Sequence, residues 1–367
     1  MLKATRFAEH YTEQPHHDLR YSAVMKWKPS YTISNRLLTT IRDIGEAIGA
    51  FNAHGLNDGA IAELKEEASV LSCYAVTGLV GKQLTLAELK PLLEYRHYAE
   101  LPIRRELFDY DKAQQALSQL VRHDSFEFNI KTLEWLQGLV VAGEGSDPSP
   151  GGVIREQFSI VPSLQRGTGV YVPPSANDIP PLIARVMLFV NRNIGLIDPV
   201  ILAGIFYHQL VMTHPFLRGN SRTIGLMTNA LLGKTGMDLF ELISLENYFY
   251  NNRDRYDATL NLEGDYYDFE SKLDLSEWLE FFSQAVLHEL HRVLQAAQEL
   301  AFPETYLEIS QQNILQYLER HGSISLQEYS AISRHSSASL KADFERLVKL
   351  GLIESKGIGD GLFYVLS

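Results

Sequence analysis

The sequence predicts a mainly α-helical protein, and three observations support this prediction. Apolar residues recur at spacings of three and four along most of the chain, for example at 42–52, 61–71, 86–96 and 115–121. One stretch rich in Gly, Pro and Ser, at 142–152, interrupts this pattern and is expected to be a loop. Near the C-terminus, three short helical patterns are followed by two strand-like runs.

Length and charge limit the possible functions. The chain has 367 residues, which is enough for two or three domains. Its 33 basic and 45 acidic residues give a net charge of −12, so we do not expect nucleic acid to bind over the whole surface, although a local basic face stays possible. No apolar run is long enough to span a membrane, and no secretory signal is visible.

The single cysteine, Cys73, excludes an internal disulfide and a metal site built from several cysteines. Without an accompanying pairing signal, this thiol is expected to be a small buried residue rather than a nucleophile. These observations together predict a soluble protein of a reducing compartment, which is the cytoplasm.

Changes of pattern along the chain predict three regions. Residues 1–95 form an N-terminal helical region, 96–302 form a central domain, and 303–367 form a C-terminal domain. Within the central domain, segment 155–174 has little helical periodicity and is expected to form a small β-hairpin. A hairpin beside a helical body is typical of a binding flap.

The C-terminal region has the element order of a winged helix-turn-helix, because helical patterns at 310–320, 326–333 and 337–350 precede strand-like runs within 352–366. From residue 304 onward there are six basic and eight acidic residues, which is not a typical DNA-binding balance. The cations predicted to contact DNA are Arg334, Lys341, Arg346, Lys349 and Lys356. The alternative is a protein-docking or dimerisation module of the same shape, which would allow a homodimer.

The stretch VMTHPFLRGNSRTIGLM joins two apolar helical patterns and is the most informative part of the sequence. Pro215 disfavours helical geometry at His214, so the first helix is expected to end there. Asn220 and Ser221 are good cap residues for the start of the second helix. The sequence therefore predicts two helices joined by a tight loop.

The same stretch has the residue types that phosphoryl or nucleotidyl transfer needs. The N-terminus of a helix attracts anions through its unpaired N–H groups and its dipole, and Arg222 adds a cation in the first turn. His214, at the rim of the loop with a pKa near its usual value, is expected to accept a proton from an incoming hydroxyl. Transfer chemistry of this kind depends mainly on positioning and charge stabilisation.

This loop resembles the signature of the Fic family, HxFx(D/E)GN(G/K)RxxR. The matching residues are His214, Phe216, Gly219, Asn220 and Arg222. The resemblance covers roughly residues 95 to 300, and some Fic proteins also carry a winged-helix tail. It implies a Fic-fold helical core with a β-hairpin flap, an N-terminal helical region and a C-terminal winged helix-turn-helix.

The resemblance implies that the protein transfers AMP from ATP to a Ser, Thr or Tyr hydroxyl of a target protein. His214 would act as the general base, and Phe216 would anchor the loop in the core. The residues implied to hold the nucleotide and its phosphates are Gly219, Asn220, Ser221, Arg222, Tyr248 and Asn252. Relatives of this fold transfer UMP, phosphate or phosphocholine, so the transferred group stays open.

Three residues belong to the segment that resembles the target-docking flap of the family. Arg155 precedes this flap, and Val170 and Tyr171 lie at its end. The resemblance therefore implies that these three residues take part in docking the target.

The sequence departs from the family signature at positions that matter for its activity. Arg218 replaces the acidic residue that binds Mg²⁺ in the family, which removes an oxygen ligand and repels the metal. Alternatively, Arg218 itself neutralises phosphate charge in place of the metal. Gly225 replaces the second arginine, and Thr77 stands where an inhibitory glutamate is found, so the self-inhibitory ion pair is not expected.

The departure at Arg218 leaves a second function open. In this alternative the protein is a catalytically impaired Fic protein that acts as a DNA-binding regulator or scaffold through its winged helix.

Overall fold

A computed structural model describes most of the chain. The described residues are 27–79, 102–123, 126–142, 151–162, 170–237, 239–301, 307–333, 336–357 and 362–367. They divide into two compact units, one within 1–53 and 57–294 and the other within 54–56 and 295–367. The helical pattern predicted at 86–96 and most of the predicted loop at 142–152 lie outside the described residues.

The first unit is built mainly of helices, as predicted. They are α1 (Asn35–Ala53), α2 (Asp58–Leu79), α3 (Pro102–Arg122), α4 (Ile130–Val140), α5 (Ile179–Asn193), α6 (Pro199–Thr213), α7 (Asn220–Lys234), α8 (Leu245–Asn251), α9 (Arg253–Leu260), α10 (Tyr266–Phe269) and α11 (Ser276–Ala301), of which the residues from 295 onward are assigned to the second unit. No helix among the described residues is long and apolar enough to cross a membrane.

Helix α6 lies at the centre of this unit. Nearly every one of its side chains is buried, as expected for a helix that is apolar on all sides. Trp278 of α11 is buried against it and donates its indole N–H to the Gly204 carbonyl at 2.8 Å. The ring of Tyr207 stacks on the same indole. Close packing along α6 therefore gives its C-terminal end a fixed position.

A small three-stranded sheet lies beside the helices. Strands β1 (Val161–Pro162) and β2 (Val170–Val172) pair antiparallel, which confirms the predicted hairpin. A third strand, β3 (Gly264–Asp265), pairs with β2 in parallel and was not predicted, since two residues carry no recognisable pattern. The tip of the hairpin, 163–169, lies outside the described residues.

The second unit contains three helices and a two-stranded hairpin, in the predicted order. The elements are α12 (Ile309–His321), α13 (Leu326–Ile332), α14 (Ser337–Lys349), β4 (Ile353–Lys356) and β5 (Phe363–Leu366). The two strands pair antiparallel. Ile314, Leu340, Phe344 and Ile353 belong to a core of this unit's own. The winged-helix assignment itself stays a prediction.

Candidate active site

The candidate site is the loop between α6 and α7. Helix α6 ends at Thr213, and His214 follows it in the left-handed region with φ 46° and ψ 62°. This confirms the predicted end of the helix before Pro215. Left-handed backbone is unfavourable for a residue with a side chain, so the surrounding contacts must hold His214 in place.

The side chain of Asn220 closes this loop. Its Oδ1 accepts the Phe216 N–H at 3.0 Å, and its Nδ2 donates to the Phe216 carbonyl at 2.7 Å. Phe216 is fully buried, as the resemblance implies. The predicted capping role is wrong, because Gly219 occupies the N-cap position without a side-chain cap and the Asn220 amide is used inside the loop.

The same amide determines which nitrogen of His214 is basic. The two bonds to Phe216 fix the orientation of the Asn220 amide, so its Nδ2 is the atom that lies 3.1 Å from His214 Nε2. Because an amide NH₂ only donates, Nε2 accepts, and the ring proton is on Nδ1. The lone pair of Nε2 therefore points into the loop.

Burial changes the titration of this histidine. It lowers the pKa of His214 to about 4, and the positive charge of Arg155 acts in the same direction. The expectation of a pKa near the usual value is therefore wrong, because the burial of this ring depends on tertiary packing, which the motif does not specify. A neutral imidazole is the form that a general base needs, and here it persists well below neutral pH.

Arg155 links the flap to the loop. Its guanidinium is buried and donates to the carbonyls of His214, Gln157 and Pro174, and its backbone N–H donates to the Pro215 carbonyl. These bonds fix the backbone on both sides of the His214–Pro215 peptide.

The other two flap residues are only partly accessible. Tyr171 is buried and donates its hydroxyl to the Met212 carbonyl, whereas Val170 is half-buried. The side chains of Arg155 and Tyr171 are buried, and their part in docking a target stays a prediction. Docking through Val170 and the strand backbone stays a prediction.

The end of α4 supports the phosphate side of the loop. Gln137 donates to the Arg218 carbonyl at 3.2 Å and accepts the N–H of Gly152. Nη1 of the buried Arg222 lies 3.5 Å from the carbonyl oxygen of Val140. Sequence reasoning missed Gln137 and Val140, since neither belongs to the motif or lies near it in the chain.

Gly219 must be glycine for two reasons. Its φ is 73°, and a Cβ at this position would lie 2.8 Å from Val141 Cγ1. The close approach of the last residues of α4 and of Val141 after it thus leaves no room for a side chain at this position. Ser221 is exposed, and Arg218 is half-buried.

The donor set of the loop does not fit Mg²⁺. Arg218 stands where the Fic signature has its acidic ligand, and a guanidinium supplies no oxygen ligand to a metal ion. A magnesium ion requires oxygen ligands in octahedral arrangement, whereas this loop offers cations and amide groups.

The residues implied to contact adenine lie on and after α8. Tyr248 is buried, and its ring packs against Phe281 and His288 of α11. Asn252 caps α8 and donates its amide to the Tyr248 carbonyl at 2.9 Å. Their contact with adenine stays a prediction.

The predicted DNA contacts are only partly described. Arg334 and the side chain of Lys349 lie outside the described residues, and Arg346 is half-buried. Lys341 and Lys356 are exposed, and each lies 3.7 Å from a glutamate of its own helix or strand. Such exposed pairs are weak, so both lysines stay candidates.

Comparison with known proteins matches residues 127–232 to the Fic/DOC family. The protein adenylyltransferase Fic of Drosophila yakuba is 28% identical over 210 residues, which cover 56% of this chain and 40% of that protein. Its counterpart in Drosophila grimshawi is 29% identical over 210 residues, covering 56% and 41%. The match thus spans less than half the length of these relatives.

Solved structures show the same fold. A Fic family protein from Desulfovibrio desulfuricans G20 aligns with a TM-score of 0.64 at 16% identity, covering 93% of this chain and 98% of that chain. A Fic domain containing signaling protein from Bacteroides thetaiotaomicron VPI-5482 aligns with a TM-score of 0.60 at 18% identity, covering 70% and 97%. At these identities the comparison establishes the fold alone.

Proposed function

Residues 127–232 form a domain of the Fic/DOC family, and from this premise we propose that the chain is a protein adenylyltransferase. In the proposed reaction a hydroxyl oxygen of a target protein attacks the α-phosphorus of ATP. The bond from this phosphorus to the bridging oxygen of the β-phosphate breaks, and pyrophosphate leaves. AMP is then joined to a Ser, Thr or Tyr of the target.

The main support for this proposal is the position of His214 Nε2 beside the start of α7. The lone pair of His214 Nε2 faces the N-terminal end of α7 through the 3.1 Å contact with Asn220. A basic nitrogen thus lies beside N–H groups that attract phosphate. The incoming hydroxyl would replace the Asn220 amide as the hydrogen-bond donor to Nε2, which then accepts its proton.

The remaining motif residues act on the phosphates. The N–H groups after Gly219 and the released Asn220 amide would bind the α-phosphate, while Arg222 and Arg218 neutralise the outer phosphates. Since the loop does not fit Mg²⁺, no step depends on a metal here. Charge neutralisation by arginine in place of the metal is part of the proposal.

The test is transfer of label from ATP carrying ³²P at the α-phosphate. Wild-type protein and His214→Ala are each incubated with ATP and a cell lysate, and the proteins are separated by electrophoresis. We expect labelled bands with wild type only. The control is His291→Ala, which removes an exposed histidine of α11 and should leave the labelling unchanged. Equal labelling by wild type and His214→Ala would contradict the proposed base.

A separate proposal concerns the second unit and the location of the protein. Its exposed lysines, Lys341 and Lys356, support contact with the DNA backbone, and a homodimer formed through the same unit is the alternative. Binding to a random duplex at low salt should weaken when both lysines are replaced by glutamine.

We also propose that the protein acts in the cytoplasm. Its one cysteine, Cys73, is buried and free, which is usual for proteins of a reducing compartment.

A further inference from the structure

Arg155 is a buried arginine whose described hydrogen-bond partners are backbone carbonyls rather than carboxylates. Nε donates to His214 O at 2.8 Å, Nη1 to Gln157 O at 2.9 Å, and Nη2 to Pro174 O at 2.6 Å. The residue itself is 3% exposed. Burying a guanidinium is unfavourable unless its donors are satisfied, so these bonds are what keep it in this position.

Two of the bonds act on the backbone that carries the base. The guanidinium holds the carbonyl of His214, and the backbone N–H of Arg155 holds the carbonyl of Pro215 at 2.9 Å. His214 has the left-handed φ of 46°, in which small changes of the backbone redirect the ring. Fixing both carbonyls therefore fixes the direction of the imidazole.

The other two bonds act on the flap. Gln157 precedes β1 and Pro174 follows β2, so the same guanidinium joins both ends of the hairpin. A target that docks on the hairpin is consequently held at a fixed distance from the base. Arg155 is suited to this task because its planar fork donates in several directions at once, which a lysine cannot reproduce.

We propose that Arg155 is the positioning residue of the active site, which fixes the ring of His214 and aligns the flap with it. This proposal rests on the proposed function and adds a residue to which the resemblance assigned a different role. The buried charge also opposes protonation of the base.

The first test measures the ring of His214 without using any reaction. Protein labelled with ¹³C at histidine is titrated by NMR, and the signal of His214 is identified from its loss in His214→Gln. In Arg155→Gln we expect a changed chemical shift and a pKa raised from the wild-type value. Arg155→Lys keeps the positive charge but loses the planar, branched donor group. The chemical shift of His214 should therefore change as well, while its pKa should rise less than in Arg155→Gln.

The second test uses AMP transfer. Arg155→Gln and Arg155→Lys should lower kcat by about 10-fold to 100-fold, because a base displaced by a fraction of an ångström loses alignment. The KM for ATP should stay close to the wild-type value. The matched control is Arg185→Gln, since Arg185 is also buried but pairs with Glu270 at 2.8 Å. This control should leave both kcat and the His214 signal unchanged.

The outcomes separate the two proposals. If wild type transfers no AMP but the His214 signal responds to Arg155→Gln as described, the proposed function fails and the positioning role stands. If the signal and kcat of both Arg155 variants equal those of wild type, the positioning role is overturned. The same conclusion follows if Arg185→Gln gives equal effects. Should Arg155→Gln not fold, Arg155→Lys decides by the same measurements.

Discussion

A carboxyl oxygen of Glu246 occupies the space into which a side chain at position 225 would extend. A Cβ built on Gly225 would lie 2.2 Å from Glu246 Oε1, which is far inside van der Waals contact. The carboxyl is buried and accepts hydrogen bonds from Tyr110 at 3.2 Å and Ser72 at 3.5 Å. Position 225 is thus filled by a carboxyl from α8, where the Fic signature has an arginine.

Replacing Gly225 by alanine should destabilise the protein by about 1–3 kcal/mol, because the buried carboxyl has to move. In the Glu246→Ala background the same change should be neutral or stabilising, since alanine is favoured over glycine inside a helix. Urea unfolding of wild type, Gly225→Ala, Glu246→Ala and the double variant gives the coupling free energy between the two residues.

Gly49→Ala is the control for this pair, because Gly49 lies in α1 with nothing within 4 Å of a Cβ. It should be neutral or stabilising by up to about 1 kcal/mol. Additive effects of Gly225→Ala and Glu246→Ala would show that the two residues do not compete for space.

The stability contributed by Glu246 should depend on pH. Burial raises the pKa of this carboxyl, and the charge of Glu289 acts in the same direction. A raised pKa in the folded state means that its contribution is present at low pH and is lost as pH rises through the folded pKa. Glu246→Gln, which cannot ionise, should therefore lose less stability than wild type when pH rises from 4.5 to 8.

Urea unfolding at a series of pH values measures this difference. The control is Glu277→Gln, since Glu277 is an exposed residue in the first turn of α11. Parallel pH profiles for wild type and Glu246→Gln would contradict the burial argument.

His214 should lower the stability of the protein at acidic pH, whereas Glu246 lowers it at higher pH. The pKa of this histidine falls from 6.5 to about 4 on folding. Its contribution to the free energy of unfolding is therefore present above pH 6.5 and is lost as pH falls through 4. Between pH 7 and 4, wild type should lose about 3 kcal/mol more unfolding free energy than His214→Gln.

The comparison is made by urea unfolding at pH 7, 5.5 and 4. His208 has a pKa lowered to about 4 by burial as well, so some acid sensitivity remains in the variant. His291→Gln removes an exposed histidine and should follow the wild-type curve. If the unfolding free energy of His214→Gln falls with decreasing pH as steeply as that of wild type, the prediction is refuted.

Arg218 should determine whether nucleotide binding needs a metal. Calorimetric titration of ATP into wild type should show binding without Mg²⁺, because arginine neutralises the phosphates. Arg218→Asp should bind ATP only when Mg²⁺ is present, since a carboxylate restores an oxygen ligand. Binding by wild type that requires Mg²⁺ would contradict this role.

Leu217→Asp is the control for the Arg218 variant. It places the same charge one residue earlier, on an exposed side chain, and should not create a requirement for Mg²⁺. If wild type binds no ATP and Arg218→Asp does, Arg218 disables the site, and the second unit becomes the place to seek the function.

Features that depend on neighbouring residues could be predicted from the sequence. The end of α6 before Pro215 follows from a local steric conflict, and the helices follow from apolar spacing. The order of three helices and a hairpin in the second unit was recognisable in the same way. The motif residues from His214 to Arg222 lie within nine consecutive positions of the chain, so their proximity needed no tertiary information.

Other features were decided by the tertiary structure alone. Arg155 reaches His214 across 59 positions of the chain, and Gln137 reaches Arg218 across 81. The pKa of His214 depends on how completely the packed loop excludes water, which its sequence neighbours do not specify. Local sterics and periodicity act over a few residues and can be read along the chain, whereas burial and long-range hydrogen bonds exist only once the chain has packed.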